Sequence, residues 1–157
     1  MKFAKFICVE ALVPRMESSD RDAVIEELVV ALDKAGRLGK GKAPQITKAL
    51  IKRENEASTG MGKGMAVPHI KHDVVKNVVA TVGLSANGIE FAALDKEPVH
   101  AVILLISPTD NPDQHLQAME HVFKYIQQEK FRRFLCQCQT VEELADLLQE
   151  ADETPSL

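Results

Sequence analysis

Three side chains of this 157-residue chain combine useful chemistry with unusual placement: Arg53, His69 and His115. Arg53 comes seven residues after Ile46 in a stretch of helical periodicity. It therefore falls on an apolar face, where a guanidinium must snorkel outward or meet a partner. His69 follows Pro68 at the end of the short apolar run Met65-Ala66-Val67. Proline fixes φ and removes a backbone donor, so a strand ladder is expected to end there and present the imidazole. His115 heads the stripe His115, Ala118, Met119, Val122, Phe123, Ile126 of another helix. An imidazole is a nucleophile near neutral pH without an added base, because its unperturbed pKa is about 6.5. Phosphorus on such a nitrogen is passed on easily, since the ring leaves well once protonated or hydrogen-bonded, but the phosphoryl charge must be held meanwhile. A forked guanidinium and a second imidazole suit that task. Just upstream, Gly60, Gly62 and Gly64 stand at every second position. Their freedom at positive φ is expected to let backbone N–H groups form an anion-binding nest beside His69.

Other readings of the same residues stay open at this level. His69-x-x-His72 has the look of a metal pair, and with His115 it would make a metal-dependent hydrolase, although no third ligand stands at a regular spacing. The glycine pattern has neither the dinucleotide-binding nor the Walker spacing. Taken singly, His69 and His115 are also compatible with structural histidines bonded to carbonyls. His100 and His121 receive no role. Cys8, Cys136 and Cys138 form no CxxC, and an odd number cannot all pair, which points to reduced thiols and a cytoplasmic setting.

Which elements position the candidates? Residues 3–12 read as a short strand or extended arm. Ser18-Ser19-Asp20 opens a first helix, with Ser19 and Asp22 spaced as a capping box. Ile25, Leu28, Val29 and Leu32 face inward and Gly36 closes the helix. Pro44 suits the first turn of a second helix, with Ile46, Ala49 and Leu50 inside. Residues 74–85 have strand composition, and Asn87-Gly88 reads as a hairpin turn. Ile89, Phe91 and Leu94 suggest a short strand or bend, and residues 95–98 a loop. Val99 to Ser107, VHAVILLIS, is the most apolar segment and reads as a central buried strand. The His115 helix follows a Pro/Asp/Asn cluster. A short helix covers roughly 128–137, and Thr140 with Glu143 caps a last one bearing Val141, Leu144, Ala145 and Leu148. Residues 152–157 are expected to be loose. Helices at both ends enclosing three or four strands imply one α/β domain over 1–157, a mixed sheet flanked by helices on both faces. If the VHAVILLIS strand and the run ending at His69 are neighbours, His69 and His115 both lie where α/β folds place their sites, at strand C-terminal ends.

Composition narrows the classes. The hydrophobic share of 45% and charged share of 27% suit a soluble globular domain, and the net charge is −4. With no basic run and six Phe and one Tyr as the aromatics, nucleic-acid binding is disfavoured. No apolar run approaches the ~18 residues of a membrane span, and the charged opening does not read as a cleavable leader.

The segment Arg53-Glu54-Asn55-Glu56-Ala57-Ser58-Thr59-Gly60-Met61-Gly62-Lys63-Gly64-Met65-Ala66-Val67-Pro68-His69 resembles the signature of enzyme IIA domains of the bacterial phosphotransferase system, of the fructose/mannitol type that includes the nitrogen-related regulatory IIA. Gly88-Ile89-Glu90-Phe91, Asp95-Lys96-Glu97-Pro98-Val99, Ser107-Pro108 and His115-Leu116 match in order, so the resemblance runs from about residue 5 to 150. It implies that His69 takes a phosphoryl group on Nε2 from phosphorylated HPr. The group then goes to a cysteine of a IIB partner or serves as a regulatory signal. It implies that Arg53 and His115 flank the phosphoryl site and that no metal or organic cofactor is needed. It also implies a freestanding IIA, since no IIB or membrane IIC segment is visible. Many relatives have glycine after the active histidine, whereas Ile70 stands here, followed by Lys71 and His72. Those two add positive charge that could tune the phosphohistidine or merely line a solvated turn. A phosphotransfer-free regulatory binding module of the same fold is the alternative, against which the joint presence of Arg53, His69 and His115 argues.

Overall fold

The computed structural model describes residues 1–154. Among them, strands β1 (Gly60–Gly62), β2 (Met65–Ala66), β3 (His69–Lys71), β4 (Val79–Ile89) and β5 (Val99–Ser107) form one mixed sheet. The helices are α1 (Arg21–Lys34), α2 (Ala43–Glu56), α3 (Pro112–Ile126), α4 (Glu129–Gln137) and α5 (Val141–Glu153). The most apolar segment is indeed the centre: β5 is paired antiparallel with β4 along one edge and parallel with β2 and β3 along the other. Its side chains alternate between two cores. Ala101, Ile103 and Leu105 pack with α3, α4 and α5 residues, while Val102, Leu104 and Ile106 pack with those of α1 and α2. Helices therefore cover both faces, as the pattern of elements requires. No helix among the described residues is long and apolar enough to cross a membrane.

The segment through Pro68 departs from expectation in a way that matters. Met65 pairs with Ala101 and His69 with Leu105, the same register on both sides of Pro68. Proline interrupts the ladder without ending it. It lacks an N–H, yet its carbonyl still accepts from the Leu105 N–H at 2.9 Å, which keeps the chain in line. His69 is thus held by a strand on each side of the proline and sits two residues before the last pair, Lys71 with Ser107.

Four other expectations are corrected. Residues 3–12 do run beside β4, touching it at the bridges Ile7↔Ala80 and, just beyond, Val13↔Gly83, but they coil into 3-10 turns at Phe3–Lys5, before the first bridge, and at Val9–Ala11, between the two. Asp152 fixes the first turn by accepting from the N–H groups of Phe3 at 2.8 Å and Ala4 at 2.9 Å. The α1 cap is Asp20, which accepts from the Ala23 N–H at 2.9 Å, so no Ser19–Asp22 box forms. Glu27 holds the Glu17 and Ser18 N–H groups and leaves Asp20 to enter the helix. Asn87-Gly88 makes a bulge within β4 instead of a hairpin: Gly88 takes φ +87, and Ile89 pairs again with Val99. Finally, α5 continues to Glu153 with Asp152 buried, so 152 and 153 are ordered helix; the rest of that expectation, from 155 on, lies outside the described residues.

Candidate functional site

His69 starts β3, and its ring is tied to its own strand: Nδ1 lies 2.7 Å from the Val67 carbonyl oxygen. A carbonyl only accepts, so Nδ1 must carry the proton, and Nε2 of the neutral ring keeps its lone pair. Burial holds the pKa of His69 below its ordinary 6.5; the Val67 carbonyl pushes it up, Arg53's charge pushes it down, and Glu54's pushes it up. The net lowering keeps the ring uncharged at neutral pH, the state in which Nε2 can attack.

His115 arrives from the opposite side of the strand ends. Asn111 caps α3, accepting from the Gln114 N–H at 3.1 Å, which sets His115 in the first turn. Its Nδ1 lies 2.6 Å from the hydroxyl of Ser107, the fully buried last residue of β5. The two imidazole centroids are 5.9 Å apart with planes inclined by 37°. His115 is also held below 6.5, first by burial and then by the charges of His69 and Lys71. Arg53, in the last turn of α2, donates from Nη1 to the Ala57 carbonyl at 2.7 Å and is near enough for its charge to act on His69. The structure therefore brings His69 and His115 face to face at the C-terminal end of β5, with the charge of Arg53 close enough to bear on His69.

Other candidates go elsewhere. The glycine loop does not serve this site. It is the β1–β2 hairpin, in which Gly62, Lys63 and Gly64 all take positive φ, and it packs near the opposite end of β5, where the Gly64 carbonyl accepts from the N–H groups of His100 and Ala101. The Lys63 N–H there is already given to the Asp95 carboxylate at 2.8 Å. An anion occupies the nest, so a phosphoryl group has no place in it. His72 turns into its own loop, its Nδ1 accepting from the Val74 N–H at 3.0 Å. Among the described residues no three His, Cys, Asp or Glu side chains are grouped to hold a metal ion.

Three contributors escaped the sequence reading. The Val67 carbonyl could not be seen, because a backbone group carries no sequence signal. Ser107 was legible only as a polar end to an apolar strand. Glu54, buried at 2% exposure, had the clearest signal, since it follows Ile46 and Leu50 at four-residue steps on the inner face of α2.

Residues 6–151 match the family model described as "Phosphoenolpyruvate-dependent sugar phosphotransferase system, EIIA 2". The fructose-specific EIIABC component of Bacillus subtilis is 30% identical over 152 residues, which is 97% of this chain and 24% of that protein's length. The chain thus spans about a quarter of that relative. The crystal structure of the nitrogen regulatory protein IIA-Ntr from Neisseria meningitidis superposes with a TM-score of 0.83 at 24% identity, covering 93% of this chain and 98% of that one. The mannitol IIA of Escherichia coli, solved in complex with phosphorylated IIB, gives 0.73 at 19% identity over 90% of this chain and 95% of that one.

Proposed function

From the premise that the chain belongs to the EIIA 2 family of the phosphoenolpyruvate-dependent phosphotransferase system, we propose that it is a phosphohistidine relay protein with His69 as the acceptor. The observation that carries this is the fixed ring: Nδ1–H is committed to Val67, Nε2 has no hydrogen-bond partner among the described residues, and the ring lies 5.9 Å centroid to centroid from that of His115. The Nε2 lone pair attacks phosphorus on phosphorylated HPr. A new N–P bond forms, the N–P bond to the donor breaks, and the donor ring leaves with that electron pair. The positive charge that develops on the His69 ring is shared with the Val67 carbonyl through Nδ1–H. Arg53 and His115 hold the phosphoryl oxygens. Onward transfer goes to a cysteine of a IIB protein, or the phosphorylated state acts as a regulatory signal. The IIA–IIB complex of the mannitol relative and the nitrogen-regulatory name of the Neisseria one motivate these two outlets.

Incubation with phosphoenolpyruvate, enzyme I and HPr should add one acid-labile, base-stable phosphoryl group, and His69→Ala should carry none. Label on the His69→Ala protein would overturn the assignment.

A further inference from the structure

Glu54 is a carboxylate at 2% exposure, and among the described residues no cation pairs with it within salt-bridge distance. A buried charge without a counter-ion is costly unless its hydrogen bonds repay the lost hydration. Both of its oxygens are used, and both by one residue. Oε2 accepts from the Thr59 N–H at 3.0 Å, and Oε1 from the Thr59 hydroxyl. Thr59 is itself 1% exposed, and its carbonyl accepts from the Val67 N–H at 3.2 Å. The carbonyl of that same Val67 accepts from Nδ1 of His69 at 2.7 Å. An unbroken line of contacts thus runs from the last turn of α2 to the reactive ring. It crosses the stretch where Pro68 leaves the ladder short of one donor.

We infer that Glu54 is a positioning residue for the phosphoryl acceptor, clamping Thr59 so that the Val67 carbonyl is aimed at His69 Nδ1 and Nε2 is presented to the donor. The inference rests on the relay reading above and deepens it. Two isolated roles can be separated by chemistry. Glu54→Gln keeps the reach and can still serve both Thr59 groups, accepting from the N–H and donating to the hydroxyl oxygen, but it removes the charge. Glu54→Asp keeps the charge and withdraws the carboxylate by one methylene, so it cannot serve both.

The readouts are the tautomer and pKa of His69 by ¹⁵N imidazole NMR, and single-turnover phosphoryl transfer from phosphorylated HPr. Glu54→Asp should convert a single Nδ1–H tautomer into a mixture. It should slow the maximal rate by about 10- to 100-fold, the scale of a small misplacement, with the donor concentration for half-maximal rate little changed. Glu54→Gln should restore the tautomer and most of the rate, with the ring titrating at lower pH because a negative charge has gone. A wild-type tautomer and rate in Glu54→Asp would overturn the inference, and so would an equal loss of rate in Glu54→Gln with its tautomer intact. The tautomer is read without any phosphoryl donor. Unlabelled wild type with a shifted tautomer in Glu54→Asp would therefore sink the relay reading alone, and labelled wild type with no tautomer change would sink the clamp alone.

Discussion

The two facing histidines are not equivalent, and their hydrogen bonds say why. His69 gives Nδ1–H to a carbonyl, which leaves Nε2 as a base and nucleophile. His115 meets a hydroxyl through Nδ1 and is free to match it with either tautomer. With Ser107 donating, the other nitrogen carries a proton and can hold a phosphoryl oxygen. His115→Ala should therefore leave a protein that still accepts on His69, slowed by about 10²- to 10³-fold, the usual cost of losing one donor to a developing anion. Ser107→Ala keeps the ring and loses only its anchor, so its rate should lie between those of wild type and His115→Ala. Rapid-quench transfer from phosphorylated HPr measures both, and a wild-type rate in His115→Ala removes that ring from the site. The protonation of the proposed acceptor can be checked directly. Burial and Arg53 hold His69 below 6.5, so its NMR titration midpoint should fall under that value, and acceptance should fail as pH drops through the midpoint.

At the scale of elements, the hairpin β1–β2 is clamped from the other side of the chain. The Ser58 hydroxyl donates to the Phe91 carbonyl at 2.5 Å, the Leu94 N–H donates to the Gly60 carbonyl at 3.3 Å, and a Cβ on Gly60 would come 2.7 Å from Cβ and 2.8 Å from Cα of Ala93. Backbone cannot rotate aside, so Gly60→Ala should cost roughly 1–3 kcal/mol, as overpacking does. Gly36→Ala meets no atom within 4 Å and bears only the strain of φ +76, roughly 1 kcal/mol. Urea unfolding of the two variants tests the order. The same hairpin shows where sequence reading stops. Helix faces, the central strand and the Thr140–Glu143 box were legible because each is a local pattern, and the box forms as the spacing requires. The three proposed site residues, Arg53, His69 and His115, stood out because each breaks such a pattern. The glycine loop was misassigned because its partner Asp95 is 32 residues away and nothing near the glycines announces it. The 3–12 arm misled because its apolar content suggests an extended segment, although Phe3 and Phe6 stand three apart, the spacing of a 3-10 turn and not the alternation of a strand. Asn87-Gly88 misled because a bulge and a hairpin turn use the same residues, and only the renewed pairing of Ile89 with Val99 separates them.

For the whole molecule, His69, His115 and His121 are all held below 6.5, so they act together on stability. His121 ties α3 to the N-terminal arm. Its ring lies 4.4 Å from Phe3 and 5.0 Å from Tyr125, centroid to centroid, and among the described residues its buried Nε2 has no hydrogen-bond partner, only Asp152 Oδ1 at 3.7 Å. Burial outweighs the pull of Asp152, so the charged form is disfavoured in the fold. Each of these rings binds its proton more weakly when folded than when unfolded. Below 6.5 the unfolded chain therefore takes up more protons, and stability falls as pH is lowered; above 6.5 both states are neutral and the effect is gone. Among the described residues the carboxylate held below its ordinary 3.8 is Asp95, whose contribution changes around and below that value, so the interval from pH 6.5 to 5 is where the imidazoles act. Thermal unfolding should give a melting temperature that is level from pH 8 to 7 and declines toward pH 5. His121→Phe, which keeps an aromatic ring against Phe3 and cannot be protonated, should flatten part of that decline. An undiminished decline in the variant would show that the arm's imidazole carries none of it, and a level profile in wild type would remove all three.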